Sequence, residues 1–139
     1  MTPIFDHVMH FDETEKWGDT TKMNGLLLLL VDALRRIVDS PFVIHCGYRE
    51  GSSEGEHALG NAVDFHIEWL ELQDAYERVV SGLKELQVLD RVGLGVYRDW
   101  NHPGFHLDVR GKKARWGAIN MDGKQTYVTI SDVVKSVEV

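Results

Sequence analysis

The feature that most constrains this chain is a pair of short runs, Val63-Asp64-Phe65-His66-Ile67 and Phe105-His106-Leu107-Asp108-Val109, in which apolar and polar residues alternate. Successive side chains of a strand point to opposite faces, so each run has one apolar face and one polar face. Asp64 and His66 share the polar face of the first run, His106 and Asp108 that of the second. If the two strands lie in one sheet with their apolar faces on the core, these polar groups converge on the far side. Alternation of this length equally describes two ordinary half-buried strands with solvated outer faces, and alone it does not choose between them.

His57 precedes Asp64 by seven positions, and His106 follows some forty positions later. Two imidazoles and a carboxylate are donor types that zinc accepts. A set of three would leave the fourth position open to water, as catalytic zinc requires and structural zinc does not.

Longer pieces of sequence carry a resemblance. Gly47-Tyr48-Arg49, then His57-x-x-Gly60-x-Ala62-x-Asp64, then Phe105-His106-Leu107-Asp108-Val109-Arg110-Gly111 and Ala114-Arg115-Trp116 occur in this order between about Phe11 and Trp116. The set resembles the M15 family of zinc D-Ala-D-Ala carboxypeptidases and related peptidoglycan peptidases. The resemblance implies Zn2+ held by His57, Asp64 and His106, and Arg49 as the catalytic-site group that binds a carboxylate or polarised carbonyl of a peptidoglycan stem peptide. It implies a metallopeptidase, first a D-Ala-D-Ala carboxypeptidase and, as the alternative, a cell-wall endopeptidase of endolysin type.

The chain departs from the family in two places. Gly55 stands where the family has a serine two residues before the first histidine, which puts a hydrogen bond behind the ligand in doubt. Pro103 and Gly104 stand where members carry an acid or a histidine ahead of the last ligand, and neither moves a proton. Asp108, on the strand face of His106, is then the first choice for general base or for a group that orients His106, with His102 and Glu56 next. An ion pair of Asp108 with Arg49 or Arg110 is an equal alternative. The missing acid also keeps open a zinc-containing binding module without turnover, since the hedgehog signalling domain resembles these peptidases in fold.

Composition narrows the partners. A formal charge of -7 argues against nucleic acid as a main partner, since a phosphate-binding surface usually shows clustered Lys and Arg. The longest apolar run, Leu26 to Val31, is too short to insert in a membrane. Cys46 is the sole cysteine, so no intrachain disulfide exists, and its expected place is as a small buried hydrophobe at a strand end. The amino terminus shows neither a basic segment nor an apolar run of the secretory kind, which predicts cytoplasmic synthesis. The implied substrate lies in the periplasm or cell wall, and a phage or prophage lysis enzyme released through a separate membrane lesion would reconcile the two.

The pattern predicts an α+β fold in a single domain spanning residues 1–139. A mainly antiparallel sheet carries two main helices on one face, in the hedgehog/DD-peptidase manner, with residues 1–18 as a lead-in segment. The first helix runs from a cap at Asp19-Thr20-Thr21 to about Val38, with Leu27, Leu30, Val31, Leu34 and Val38 inward and Asp32, Arg35 and Arg36 outward. The second covers Glu68 to Gln87, weakened slightly by Gly82. Strands are expected at Phe42–Cys46, at the two alternating runs, at Arg91–Tyr97, and at Ala114–Ile119 paired with Gln125–Ile130 through an Asp122-Gly123 turn. Glu50 to Glu56 reads as a loop, Gly60 as a turn, and Ser131-Asp132 as the cap of a short last helix. Gly93 and Gly95 would leave one face of their strand bare, either for a substrate backbone or for a bulge or close helix contact. His7 and His10 read as surface histidines, His45 as a satisfied core or sheet histidine, and His66 as a bystander or a group supporting the ligands.

Overall fold

Six strands form one sheet in the order β1-β2-β4-β3-β5-β6, as seen in a computed structural model that describes residues 2–51 and 55–138. They are β1 (Phe42–Cys46), β2 (Ala62–Ile67), β3 (Gly93–Tyr97), β4 (Gly104–Asp108), β5 (Ala114–Met121) and β6 (Lys124–Val128). Every neighbouring pair is antiparallel except β3 and β5, which run parallel, so the sheet is mainly antiparallel as expected. Asp122 and Gly123 both take positive φ, 50° and 78°, and close the β5–β6 hairpin as the two-residue turn requires.

Alternation decides what each face does. Val63, Phe65, Leu94, Val96, Phe105 and Leu107 are fully buried and form the core with the helices. Helix α1 (Gly25–Val38) and helix α2 (Leu72–Glu85) cover that face. Gly82 proves useful rather than merely weakening, since a Cβ there would lie 2.6 Å from Leu34 Cδ1, so its absence lets α2 approach α1 closely.

Several boundaries differ from expectation for local reasons. Asp19 does cap a turn, its side chain accepting from the Thr21 N–H at 3.0 Å, but only the 3-10 turn Thr20–Lys22 follows. Helix α1 starts afresh from Asn24, whose Oδ1 accepts from the Leu26 N–H at 2.9 Å. Asp32, expected outward, is buried because its two oxygens accept the backbone N–H groups of Met9 and His10. That tie, with Phe11 and Trp17 buried in the core, fastens the lead-in segment to the domain. His7 and His10 are exposed. The expected last helix is a 3-10 turn, Ile130–Asp132, in a capping box built on Thr129 rather than Ser131.

The turn that presents His57 is built from the same parts. A 3-10 turn, Glu56–Leu59, ends at Gly60 with φ 74°, whose N–H returns to the His57 carbonyl. The Asn24 N–H donates to the Gly60 carbonyl at 2.8 Å, and Asn24 Nδ2 donates to Asn61 Oδ1 at 3.0 Å, so the start of α1 holds the turn in place. Of the expected loop Glu50 to Glu56, residues 52–54 lie outside the described residues. A Cβ at Gly60 would lie 1.8 Å from the Lys22 carbonyl oxygen. Gly60→Ala therefore lowers the unfolding free energy in urea by more than the roughly 1–2 kcal/mol of the left-handed backbone alone, and a change within 0.5 kcal/mol, on the order of a neutral surface substitution, would contradict this.

Candidate metal centre

The site lies on the sheet face away from the helices, along one lateral row. Cys46 of β1 pairs with Asp64 of β2, Asp64 with His106 of β4, His106 with Gly95 of β3, and Gly95 with Trp116 of β5. Cross-strand neighbours on one face lie within side-chain reach of each other. Thus the carboxylate and the second histidine, 42 residues apart in sequence, meet because their strands are paired. His57 enters from the 3-10 turn beside the sheet.

The hydrogen bonds orient all three groups. His57 Nδ1 donates to the Gly47 carbonyl at 2.8 Å, which turns Nε2 toward Asp64 Oδ1 at 3.2 Å. His106 Nε2 donates to Asp108 Oδ2 at 2.7 Å, which turns Nδ1 toward the same Asp64 oxygen at 3.1 Å. In each imidazole one nitrogen is anchored to an oxygen acceptor while the other faces the shared carboxylate, the arrangement in which metal-binding imidazoles are ordinarily held. The three expected residues are brought together, and their donor types fit a divalent cation such as Zn2+. Among the described residues, the group whose ligand atoms all lie within 4.8 Å of one another, and which could hold a metal ion, is Cys46, His57 and Asp64.

The electrostatics of the metal-free protein agree with a place for positive charge. Burial disfavours charge on His57, but hydrogen bonds with Asp64, Cys46 and the Gly47 carbonyl outweigh it and raise the imidazole from 6.5 to about 10. Burial likewise works against the Asp64 carboxylate, yet hydrogen bonds from His106 and His57 take it from 3.8 down to about 2. His106 is raised as well, burial being overcome by its bonds to Asp108 and Asp64. Protons on the two imidazoles supply the charge that the carboxylate needs.

Asp108 is wholly committed to this scaffold. Its oxygens accept from His106 Nε2, the Gly93 N–H, the Arg110 N–H, Arg110 Nε at 2.8 Å and Arg110 Nη2 at 2.7 Å, and it is fully buried. Against its burial, the Arg110 guanidinium and His106 hold the carboxyl well below the usual range. A carboxylate so occupied holds His106 in place, one of the two roles expected of Asp108, while the donors around it engage the oxygens that would take a proton from water. Its arginine partner is Arg110, whose guanidinium also lies 5.3 Å over the Trp116 ring.

The bare face expected at Gly93 and Gly95 is filled by neighbours. A Cβ at Gly93 would lie 2.5 Å from Asp108 Oδ2, and one at Gly95 would lie 2.4 Å from Trp116 Nε1. These glycines make room for Asp108 and Trp116 rather than for a substrate backbone, a bulge or a helix.

Two troughs meet at the site. One is lined by Glu56, Tyr97, Arg110, Trp116 and Tyr127 among others, the second by Lys16, His45, Cys46, Asn101 and His102, and both are bordered by Arg49, Asp64 and Trp100. Arg49, expected at the rim, is exposed at this junction. His102 belongs to the second trough, where it stacks on His66 with ring centroids 4.4 Å apart, and His45 Nε2 meets His66 Nδ1. The aromatic lining, with Tyr97 stacked on Trp100 at 4.3 Å, had no legible signal in sequence because it comes from β3, β5, β6 and a loop.

Replacing Asp108 by Asn is expected to weaken metal binding roughly 10–100-fold while the domain stays folded, as measured by zinc titration and circular dichroism; unchanged affinity would refute the orienting role. The pH dependence follows from the signs. A raised imidazole pKa contributes stability in full below 6.5 and loses it as pH rises to about 10. A depressed carboxylate pKa contributes above 3.8 and loses its part as pH falls to about 2. Chelator-treated protein should therefore show its highest urea midpoint between pH 3.8 and 6.5. Saturating zinc should remove the alkaline decline, because the cation replaces the protons.

No protein-family model and no curated protein matches the chain. Among solved structures, it is similar to the L-Ala D-Glu endopeptidase ChiX of Serratia marcescens, at 18% sequence identity and a TM-score of 0.49, over 75% of this chain and 92% of that one.

Proposed function

We propose that this chain is a metal-dependent peptidase of the M15 kind that cleaves peptidoglycan stem peptides within the chain rather than at a D-Ala-D-Ala end. The observation that carries the metal reading is the pair of imidazoles whose outer nitrogens are tied to Gly47 and Asp108 while their inner nitrogens face Asp64 at 3.2 and 3.1 Å. The peptidoglycan substrate comes from the sequence resemblance.

A zinc ion on His57, Asp64 and His106 would supply Lewis acidity toward a carbonyl and a more acidic water. The chain's own groups do the rest. Arg49 borders both troughs at their junction, where its fork of donors suits a carboxylate or a polarised carbonyl of a peptide lying across the site. Tyr97, whose oxygen accepts a hydrogen bond from Trp116 Nε1 at 3.0 Å, lines the trough that Asp64 and His106 also line and supplies a hydroxyl for a developing oxyanion. Burial above all keeps that phenol protonated, raising its pKa beyond the usual range. Troughs on both sides of Asp64 accommodate peptide on both sides of the cleaved bond, which favours the endopeptidase alternative over carboxypeptidase action.

For the proton acceptor we propose Glu56. Among the described residues lining the first trough it is the carboxylate other than Asp64, and Asn61 Nδ2 approaches its Oε1 at 3.5 Å. His102, on the far trough against His66, is less well placed.

Incubating the zinc-loaded protein with defined stem peptides and weighing the products tests the reading, with the L-Ala–D-Glu bond the first to examine. Internal cleavage is expected. Release of one D-Ala would return the carboxypeptidase reading, and zinc bound without any product would leave a binding module. Glu56→Gln should lower turnover by roughly 10²–10⁴-fold with zinc content unchanged, whereas His57→Ala and His106→Ala should lose the metal.

A further inference from the structure

We infer that Cys46 is a fourth, displaceable protein ligand of the metal centre, so that the resting site is closed by a thiolate and opens when substrate arrives. The inference rests on the metal-peptidase reading above and adds a residue that the resemblance does not include.

A backbone irregularity puts the sulfur there. Ile44 pairs with Phe65 and Cys46 with Asp64, so β1 spends one extra residue, His45, against β2. Ile44 is buried in the core. In a regular strand, Cys46, two residues on, would face the core as well. The bulge turns it to the opposite face and sets it directly across from Asp64.

Its surroundings suit a ligand. Cys46 is half-buried and lines the second trough, so solvent and small reagents reach it. Its sulfur falls within 4.8 Å of ligand atoms of both His57 and Asp64. Against the ring edge it lies 3.9 Å from His57 Nδ1, and it donates weakly to the Gly47 carbonyl at 3.6 Å. Ligation would exchange the weak contact with that carbonyl for one with a cation seated on Asp64. His106 reaches Asp64 from β4 and Cys46 from β1, so the two approach from opposite flanks and do not exclude each other. On ligation the S–H bond breaks, a sulfur–metal bond forms, the proton passes to solvent and one water leaves the cation. Thiolate favours zinc and cobalt over magnesium or manganese, which makes the centre selective as well as closed.

Cobalt provides the probe. The metal-free full chain is titrated with Co2+ and its absorption recorded, then the titration is repeated with Cys46→Ser. Wild type should take one equivalent and show thiolate-to-cobalt charge-transfer absorption in the near ultraviolet; Cys46→Ser should take one equivalent without it. In wild type, one equivalent of Zn2+ should also slow alkylation of Cys46 by iodoacetamide by about tenfold or more, since a metal-bound thiolate is a poorer nucleophile than a free one. The alkylation needs no variant to fold. One equivalent of cobalt with identical spectra for both proteins, or zinc-independent alkylation, would overturn the role of Cys46 and leave the His57, Asp64 and His106 reading standing. Failure of wild type to bind cobalt at all would overturn both.

Discussion

The Asp64 carboxylate is the hinge of the architecture. Even a partly buried carboxylate is tolerated only where donors or cations answer its charge. Here the answer comes from His57 Nε2 and His106 Nδ1, both aimed at the same oxygen. Each imidazole can aim there because its other nitrogen is tied, one to a backbone carbonyl and one to Asp108. Asp108 in turn is held by Arg110, and the absence of a side chain at Gly93 leaves it room. The site is thus a chain of dependence running from the carboxylate outward through three strands.

That chain explains why the sheet, rather than a loop, carries the chemistry. Cys46, Asp64, His106, Gly95 and Trp116 are lateral neighbours in one row, while the alternate row of Ile44, Phe65, Phe105 and Val96 is buried under the helices. The packed core on one face makes the positions on the other rigid, as a preformed site needs. Of His57, Asp64 and His106, only His57 arrives from outside the sheet, and its turn is tied to the first residue ahead of α1.

Much of this was legible from residues. Period-two alternation around Asp64 and His106 predicted both strands and their faces, and the Asp122-Gly123 pair located the hairpin. Gly60 was recognisable as a turn because its conformation excludes other residues. Asp32 was not, because a helical wheel shows spacing and cannot show that two backbone N–H groups from the lead-in segment would reach it. Gly93 and Gly95 misled for a similar reason: the space they leave is taken by side chains of β4 and β5, which are remote in sequence.

By itself the amino-acid sequence determined the elements, the polar and apolar face of each strand, and the donor types gathered near Asp64. Those follow from local sterics and from the free energy of burying apolar surface, both read along the chain. Only the tertiary structure decided that Asp108 is consumed by Arg110, that Trp100 and Arg49 divide two troughs, and that a bulge at β1 brings Cys46 opposite Asp64. Strand order, register and hydrogen-bond partners depend on contacts between distant segments, and a one-residue shift in pairing reverses every side chain that follows it.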